Sequence, residues 1–275
     1  MTDERFVFTA AEKKKLIIIG LVGVVLFVLG VVALMVGSDH DAASHGAEAV
    51  GHAAETGGHG AESGQHTGSW ITRVYANLWI NNVYFAGVAL IGIFFVAIQY
   101  VTQAGWSAGF KRIPLAFGNW LPIAGILMLV IWLVASHDLF HWTHEELYIE
   151  GGPHYDEIIA GKRVYLNTPF FLARTIIYFS LWYLFFRWIR KEMIAEDLDG
   201  SPRHWKKLIG ISAGFIVIFS VSSSMSAWDW ILSIDTHWYS TMIGWYVFAS
   251  WFVTGLAFIT LITIYLKERG YLSIV

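Results

Sequence analysis

The chain has 275 residues, of which 56% are hydrophobic, 16% aromatic and only 14% charged, with a formal net charge of −3. A soluble domain carries about 25% charged residues, so this composition points to the membrane class and excludes an ordinary soluble domain, while −3 is too weak to imply a nucleic acid or other polyanionic partner. The absence of cysteine excludes disulfides, thiolate-held iron–sulfur clusters and covalently attached c-type haem on this chain.

Six apolar runs, near 16–36, 74–101, 113–136, 169–190, 207–227 and 240–266, are long enough to cross a bilayer as helices, which takes about 20 residues each. The runs are continuous rather than alternating, so the expected fold is an all-α polytopic membrane protein and not a closed barrel. Spans two to five are expected to form a four-helix bundle.

The first region, 1–37, reads as a retained N-terminal membrane anchor, because its apolar stretch exceeds the 7–15 residues of about the usual signal-peptide core. A linker, 38–72, follows, rich in Gly, Ala, Glu and His. His45, His52, His59 and His66 recur every seven residues, with Glu48, Glu55 and Glu62 interleaved. Such a tract is either a weak metal-binding site or a polar linker from a duplicated short unit; the lack of aromatic residues favours the linker.

Region 73–206 holds spans two to four. Asn77 and Asn81 lie four apart at the start of span two, either as interhelical glue or as the lining of a polar cavity. The connection 137–168 reads as a structured cap. His137, His141, His144 and Glu145 fall on one face if the helix of span three continues, with Asp138 beside His141. That cluster suits a proton relay, since histidine titrates near neutral pH; a zinc site or a wetted interfacial helix end uses the same residues. A haem b site needs axial histidines from different helices, and no second span carries a buried one. Arg174 alone lies inside a span, where it either snorkels to the interface or pairs with a carboxylate such as Asp138 or Asp229.

Region 207–275 holds spans five and six. Between them, 228–238 is expected to be a short interfacial helix with Asp229, Ser233 and His237 in one stripe and Asp235 apart from it. Ser222, Ser223, Ser224 and Ser226 offer a small surface for close packing, or hydroxyls for a water chain.

Arginine and lysine set the orientation. Lys13 to Lys15, Lys111, Arg112, Arg187, Arg190, Lys191, Arg203, Lys206, Lys207, Lys267 and Arg269 all fall on one side if the spans alternate. By the positive-inside rule the N-terminus is cytoplasmic and the His-rich loops are outside. A family resemblance, carried by the segment from Ala227 to Trp251, implies the bacterial inner membrane as the location.

The segment from Ala227 to Trp251, WDWILSIDTHWYSTMIGWYVFASW after its first residue, resembles the membrane subunits of bacterial alternative complex III, which are similar to polysulfide-reductase (NrfD-like) anchors. The His-rich insertion after one helix and HDLFHWTHEE after the third span resemble the smaller of the two such subunits, and the likeness covers most of 70–275. The resemblance implies a cofactor-free membrane subunit of a respiratory quinol:cytochrome c, or quinol:oxidase, oxidoreductase. It implies partners that carry the redox groups: an NrfD-like paralogue, an iron–sulfur protein, multihaem and monohaem cytochromes c, and a terminal oxidase, with menaquinone or ubiquinone in the complex and lipid around it. The task implied for this chain is scaffolding and proton conduction through Asp138, His141, Arg174, Asp229, Asp235 and His237, without covalent catalysis. Members of the family carry more spans in two four-helix bundles, so the second bundle is expected to be incomplete here, with the sixth span beginning it. Two other readings use the same residues: a quinol-binding catalytic subunit, and a secondary transporter or channel, against which no inverted repeat is visible.

Overall fold

The computed structural model describes residues 9–48 and 70–272. Among these residues every regular element is helical and six helical stretches are long and apolar enough to span a bilayer. Two compact units divide the chain, 1–77 and 78–275.

In the first unit, α1 runs Ala10–Glu48. It starts at a capping box: the Thr9 amide donates to Glu12 Oε2 at 2.9 Å, and the Glu12 amide donates to Thr9 Oγ1 at 3.3 Å. Its apolar side chains are exposed, Ile19 by 67% and Leu26 by 63%, as suits a helix surrounded by hydrocarbon. The helix does not stop at the end of the apolar run. It continues through the Ala-, His- and Glu-containing start of the linker to Glu48, because those residues sustain a helix without a membrane to bury it. His45 therefore falls on helical backbone, while His52, His59 and His66 lie outside the described residues.

The next helix, α2, runs Trp70–Val101 and its part from 78 onward belongs to the second unit. There it is the central element: Ala86, Leu90, Ile91, Ile93, Val96 and Ala97 have no exposed surface. Span three is built in pieces. A short helix α3, Arg112–Ala116, is followed by a 3-10 turn, Phe117–Trp120, and then by α4, Leu121–Leu139. Pro114 and Pro122 sit in first turns, where the missing amide costs little.

The cap contains two 3-10 turns, His141–Thr143 and Glu145–Tyr148, and the one-turn helix α5, Glu157–Gly161. Asp156 caps α5, accepting from the amides of Ile158 at 2.9 Å and Ile159 at 3.0 Å. Span four is α6, Thr168–Asp199, opened by Asn167 accepting from the Phe170 amide and closed by Gly200 in the left-handed conformation at φ 63°. Ser201 caps α7, Pro202–Trp230, at once, so spans four and five form a tight antiparallel hairpin. Span six is α8, Ile243–Glu268.

Within the second unit α6 packs on α7, α7 on α8, and α4 on α6. The α2 helix is joined to α4 by Asn82 Nδ2 donating to the Ala124 carbonyl at 3.0 Å, and to α7 by the Phe94–Phe219 ring contact at 5.0 Å. Span six lies directly on α2. Two glycines permit that approach reciprocally, since a Cβ on Gly87 would collide with the Trp251 indole and one on Gly255 with Ile91. Phe94 also meets Phe248 edge-on at 5.4 Å.

A buried ion pair and its aromatic frame

One face of α6 carries Arg174, Thr175, Tyr178 and Trp182, at helical spacing. The facing stripe of α7 carries Ser222, Ser226, Asp229 and Trp230. The hairpin brings the two stripes together, and every one of these eight side chains is buried.

At the cap end of this seam Arg174 and Asp229 form a fork-to-fork ion pair. Arg174 Nε donates to Asp229 Oδ2 and its second terminal nitrogen to Oδ1, both at 2.8 Å. Tyr178 donates its hydroxyl to Oδ2 at 3.1 Å. The remaining terminal nitrogen of Arg174 donates to the Tyr165 carbonyl at 3.0 Å. The guanidinium plane lies between two rings, 3.9 Å from the Tyr165 centroid and 4.2 Å from that of Phe170. Asp229 has no exposed surface and Arg174 only 4%.

This arrangement answers the cost of burying charge. Desolvating a carboxylate and a guanidinium costs several kcal/mol each, offset only when geometry is good and the remaining polar atoms are satisfied. The planar guanidinium matches a carboxylate in two places, which an ammonium cannot do. The aromatic faces supply cation–π attraction of about 2 kcal/mol when dry. Burial and the Asp229 charge push the Tyr165 hydroxyl above its ordinary pKa, which keeps it neutral beside the pair.

Around the pair the tryptophans act as braces. Trp230 donates its indole N–H to Thr175 Oγ1 at 3.2 Å, while its own carbonyl accepts from Trp79 Nε1 at 2.8 Å. Trp182 donates to Ser222 Oγ at 2.8 Å, and the Trp182 and Trp230 rings meet edge-on at 5.9 Å. Three spans are thus pinned to one another by indole hydrogen bonds beside the ion pair. Ser222 and Ser226 direct their own hydroxyl hydrogens to carbonyls one turn back, at 2.7 and 2.8 Å. These serines serve close packing.

The expected interfacial helix over 228–238 is not there. The α7 helix carries Asp229 within its last turn, and a 3-10 turn, Leu232–Ile234, follows. Asp229 therefore belongs inside the span, held there by Arg174. Ser233 donates to the backbone carbonyl of Asp229 rather than lining its carboxylate. His237 has turned toward the cap, where its Nε2 lies 2.5 Å from Asp156 Oδ2. Lys162, also in the cap, donates to the neighbouring Thr236 carbonyl. Burial works against ionisation of Asp156, but the Ile159 amide, the His237 ring and the Ile158 amide outweigh it and hold the carboxyl below its ordinary pKa. Asp235 is exposed and belongs to neither group.

The histidine cluster also departs from a single helical face. Phe140 leaves the helix at φ −116° and ψ 99°, because its ring packs inward against Trp79 and Phe171. The turn nevertheless gathers the rings: His144 lies 5.5 Å from His137 and 5.6 Å from His141. Asp138, His137 and His141 are exposed, away from Arg174, so Asp138 is not the arginine's partner. Among the described residues no three His, Asp or Glu side chains are placed to hold a metal ion. Asn77 donates to the Arg73 carbonyl of its own helix at 2.8 Å, and both Asn77 and Asn81 are exposed. The inward amide is Asn82, three residues after buried Trp79 and four before buried Ala86.

A second polar centre lies at the opposite, basic end; of its members only Lys111 and Lys207 are named from sequence, and those for orientation alone. Glu192 on α6, 3% exposed, is bonded by Lys207 and by His204 Nδ1 at 2.8 Å from α7; His204 Nε2 reaches Asp199 at 2.9 Å. Beside it, Tyr100 of α2 donates to Glu196 at 2.6 Å, and Lys111 bonds both groups, at 2.7 and 3.0 Å. The available signal was the spacing of Glu192, Glu196 and Asp199, at i, i+4 and i+7 in the last two turns of α6.

Fold and site together define a multi-pass α-helical membrane protein whose core holds a fully satisfied ion pair. Neither a protein-family model nor a curated protein matches this sequence.

Proposed function

We propose that this chain is an integral membrane subunit of a respiratory quinol oxidoreductase of the alternative complex III type. In this reading it carries no redox group. It holds partner subunits in the membrane, with the basic end in the cytoplasm and the cap outside, and Arg174 and Asp229 form the polar centre of a proton-handling region. One observation supports it above the rest: an ionisable pair is kept inside the spans, at the segment that carries the family resemblance, although charges there are costly and mark functional sites by default.

The pairing shapes the role. The Asp229 carboxylate is held by three donors, two from Arg174 and one from Tyr178, and has no exposed surface. Asp229 then acts as a fixed charge that sets the field and anchors the seam. Relay falls to groups at the two ends, where His137, His141 and His144, or His204 with Glu192, meet water.

The test is isolation of the tagged chain from its native membrane under mild detergent. Co-isolation of a multihaem cytochrome and an iron–sulfur protein, with quinol oxidation, is the expected outcome. Isolation as a lone homo-oligomer without haem absorbance overturns it.

A further inference from the structure

A cavity of about 540 Å³ lies in the cap, against the first turn of α6. Trp142, Glu145, Tyr148, Arg163, Asn167 and Thr168 line it. Its place at the start of a spanning helix puts it at the level of lipid headgroups. Arg163 lies over the Tyr148 ring at 5.0 Å and has no carboxylate partner among the described residues. Glu145, on the other wall, has no cation partner among them either. Opposite charges thus share one cavity without meeting each other. Trp142 is 2% exposed, and its indole N–H is buried without an acceptor. Tyr148 fixes the wall by donating its hydroxyl to the Trp142 carbonyl at 2.7 Å. Ile149, also lining the cavity, is 60% exposed, and Phe170, next in chain to the lining residue Pro169, 46%, so apolar side chains stand at the edge of a mostly polar cavity.

We propose that this cavity binds the headgroup of a zwitterionic, amine-bearing phospholipid. The phosphate lies on the Arg163 guanidinium, whose donors fit phosphate oxygens in pairs. The ammonium lies on Glu145, and the acyl chains leave past Ile149 and Phe170 into the bilayer. An anionic headgroup without an amine satisfies Arg163 alone and meets the repulsion of Glu145. Neither the ion pair of the core nor the assembly proposed above is required for this site.

The experiment uses the full-length protein with whatever subunits accompany it, titrated in detergent with phosphatidylethanolamine or phosphatidylglycerol and read by native mass spectrometry. Phosphatidylethanolamine is expected to bind about tenfold more tightly than phosphatidylglycerol, the size of one charge-assisted hydrogen bond. Arg163→Gln weakens phosphatidylethanolamine by about tenfold, and Arg163→Lys, which keeps the charge, by less. Glu145→Gln removes the preference between the two lipids without weakening phosphatidylglycerol. Equal binding of both lipids by the unaltered protein, or no change in Arg163→Gln, overturns the proposal. Complete displacement by soluble phosphoethanolamine also overturns it, by making the cavity a site for a small molecule.

Discussion

The two polar centres of the α6–α7 hairpin use the same chemistry in different surroundings. At the cap end Arg174 and Asp229 are sealed, with side chains 5% and 0% exposed. At the basic end Glu192 is equally buried at 4%, but its partner Lys207 is 49% exposed and His204 23%. In the first, both charges have left water, so each depends wholly on the other. In the second only the carboxylate has, and the cations remain hydrated. Distance is short in both; solvent decides what each pair is worth.

The largest effect should follow from splitting the sealed pair. Asp229→Ala leaves a buried guanidinium without its counter-charge, a loss of about 3–5 kcal/mol, read as a fall in thermal stability and in assembled yield. Asp229→Asn keeps the shape and tests the proposed function more cleanly: if assembly survives while the proton yield of the proposed quinol oxidation falls, the Asp229 side chain matters beyond packing. Full stability in Asp229→Ala would erase the contrast between the two centres.

A smaller loss is expected from Glu192→Gln, about 1–3 kcal/mol, because Lys207 can return to water while His204 keeps Asp199. Equal losses for Glu192→Gln and Asp229→Ala would show that burial of the carboxylate alone sets the scale.

The latch between Asp156 and His237 carries a pH signature. The Asp156 pKa is held below its ordinary value, so the latch contributes fully above the ordinary carboxylate range. That contribution drains away as pH falls through the lowered value. Hydrogen exchange of residues 157–161 should therefore accelerate in acid, and Asp156→Asn should exchange fast with a weakened pH dependence. A cap that exchanges equally at neutral and acid pH would mean that the latch is incidental.

The smallest effect belongs to Arg112 and Asp197, an ion pair at the basic end with Arg112 66% exposed. Arg112→Ala should cost no more than about 1 kcal/mol and lose even that in high salt. It sets the wetted limit of the comparison.

Much of the fold can be read from sequence because the bilayer imposes a simple rule: an uninterrupted apolar run must be a helix that spans. The six runs and the six long helical stretches coincide, with two ends running on past the apolar stretch: α7 passes residue 227 to include Asp229 and Trp230, and α1 passes Val36 to reach Glu48. Arg174 stands out by type, as a charge inside a span, and Asp229 is one of two carboxylates named for it. Tyr178, four residues on, carries a signal of position only. Nothing in the sequence separates Asp229 from Asp235 or Asp138 as a partner, nor Asn82 from Asn77 and Asn81. Those choices depend on which face of a helix turns inward.

By itself, then, the sequence determined the number of spans, the all-helical class and the presence of charges that must be answered. Hydrophobic length is a local property, summed along one chain segment. The tertiary structure alone decided that Arg174 meets Asp229, that His237 leaves its neighbours for Asp156, and that span six lies on α2 through Gly87 and Gly255. Pairing between helices turns on rotation and approach of a few ångströms, set by glycines, indoles and turns acting together, and no single segment contains that information.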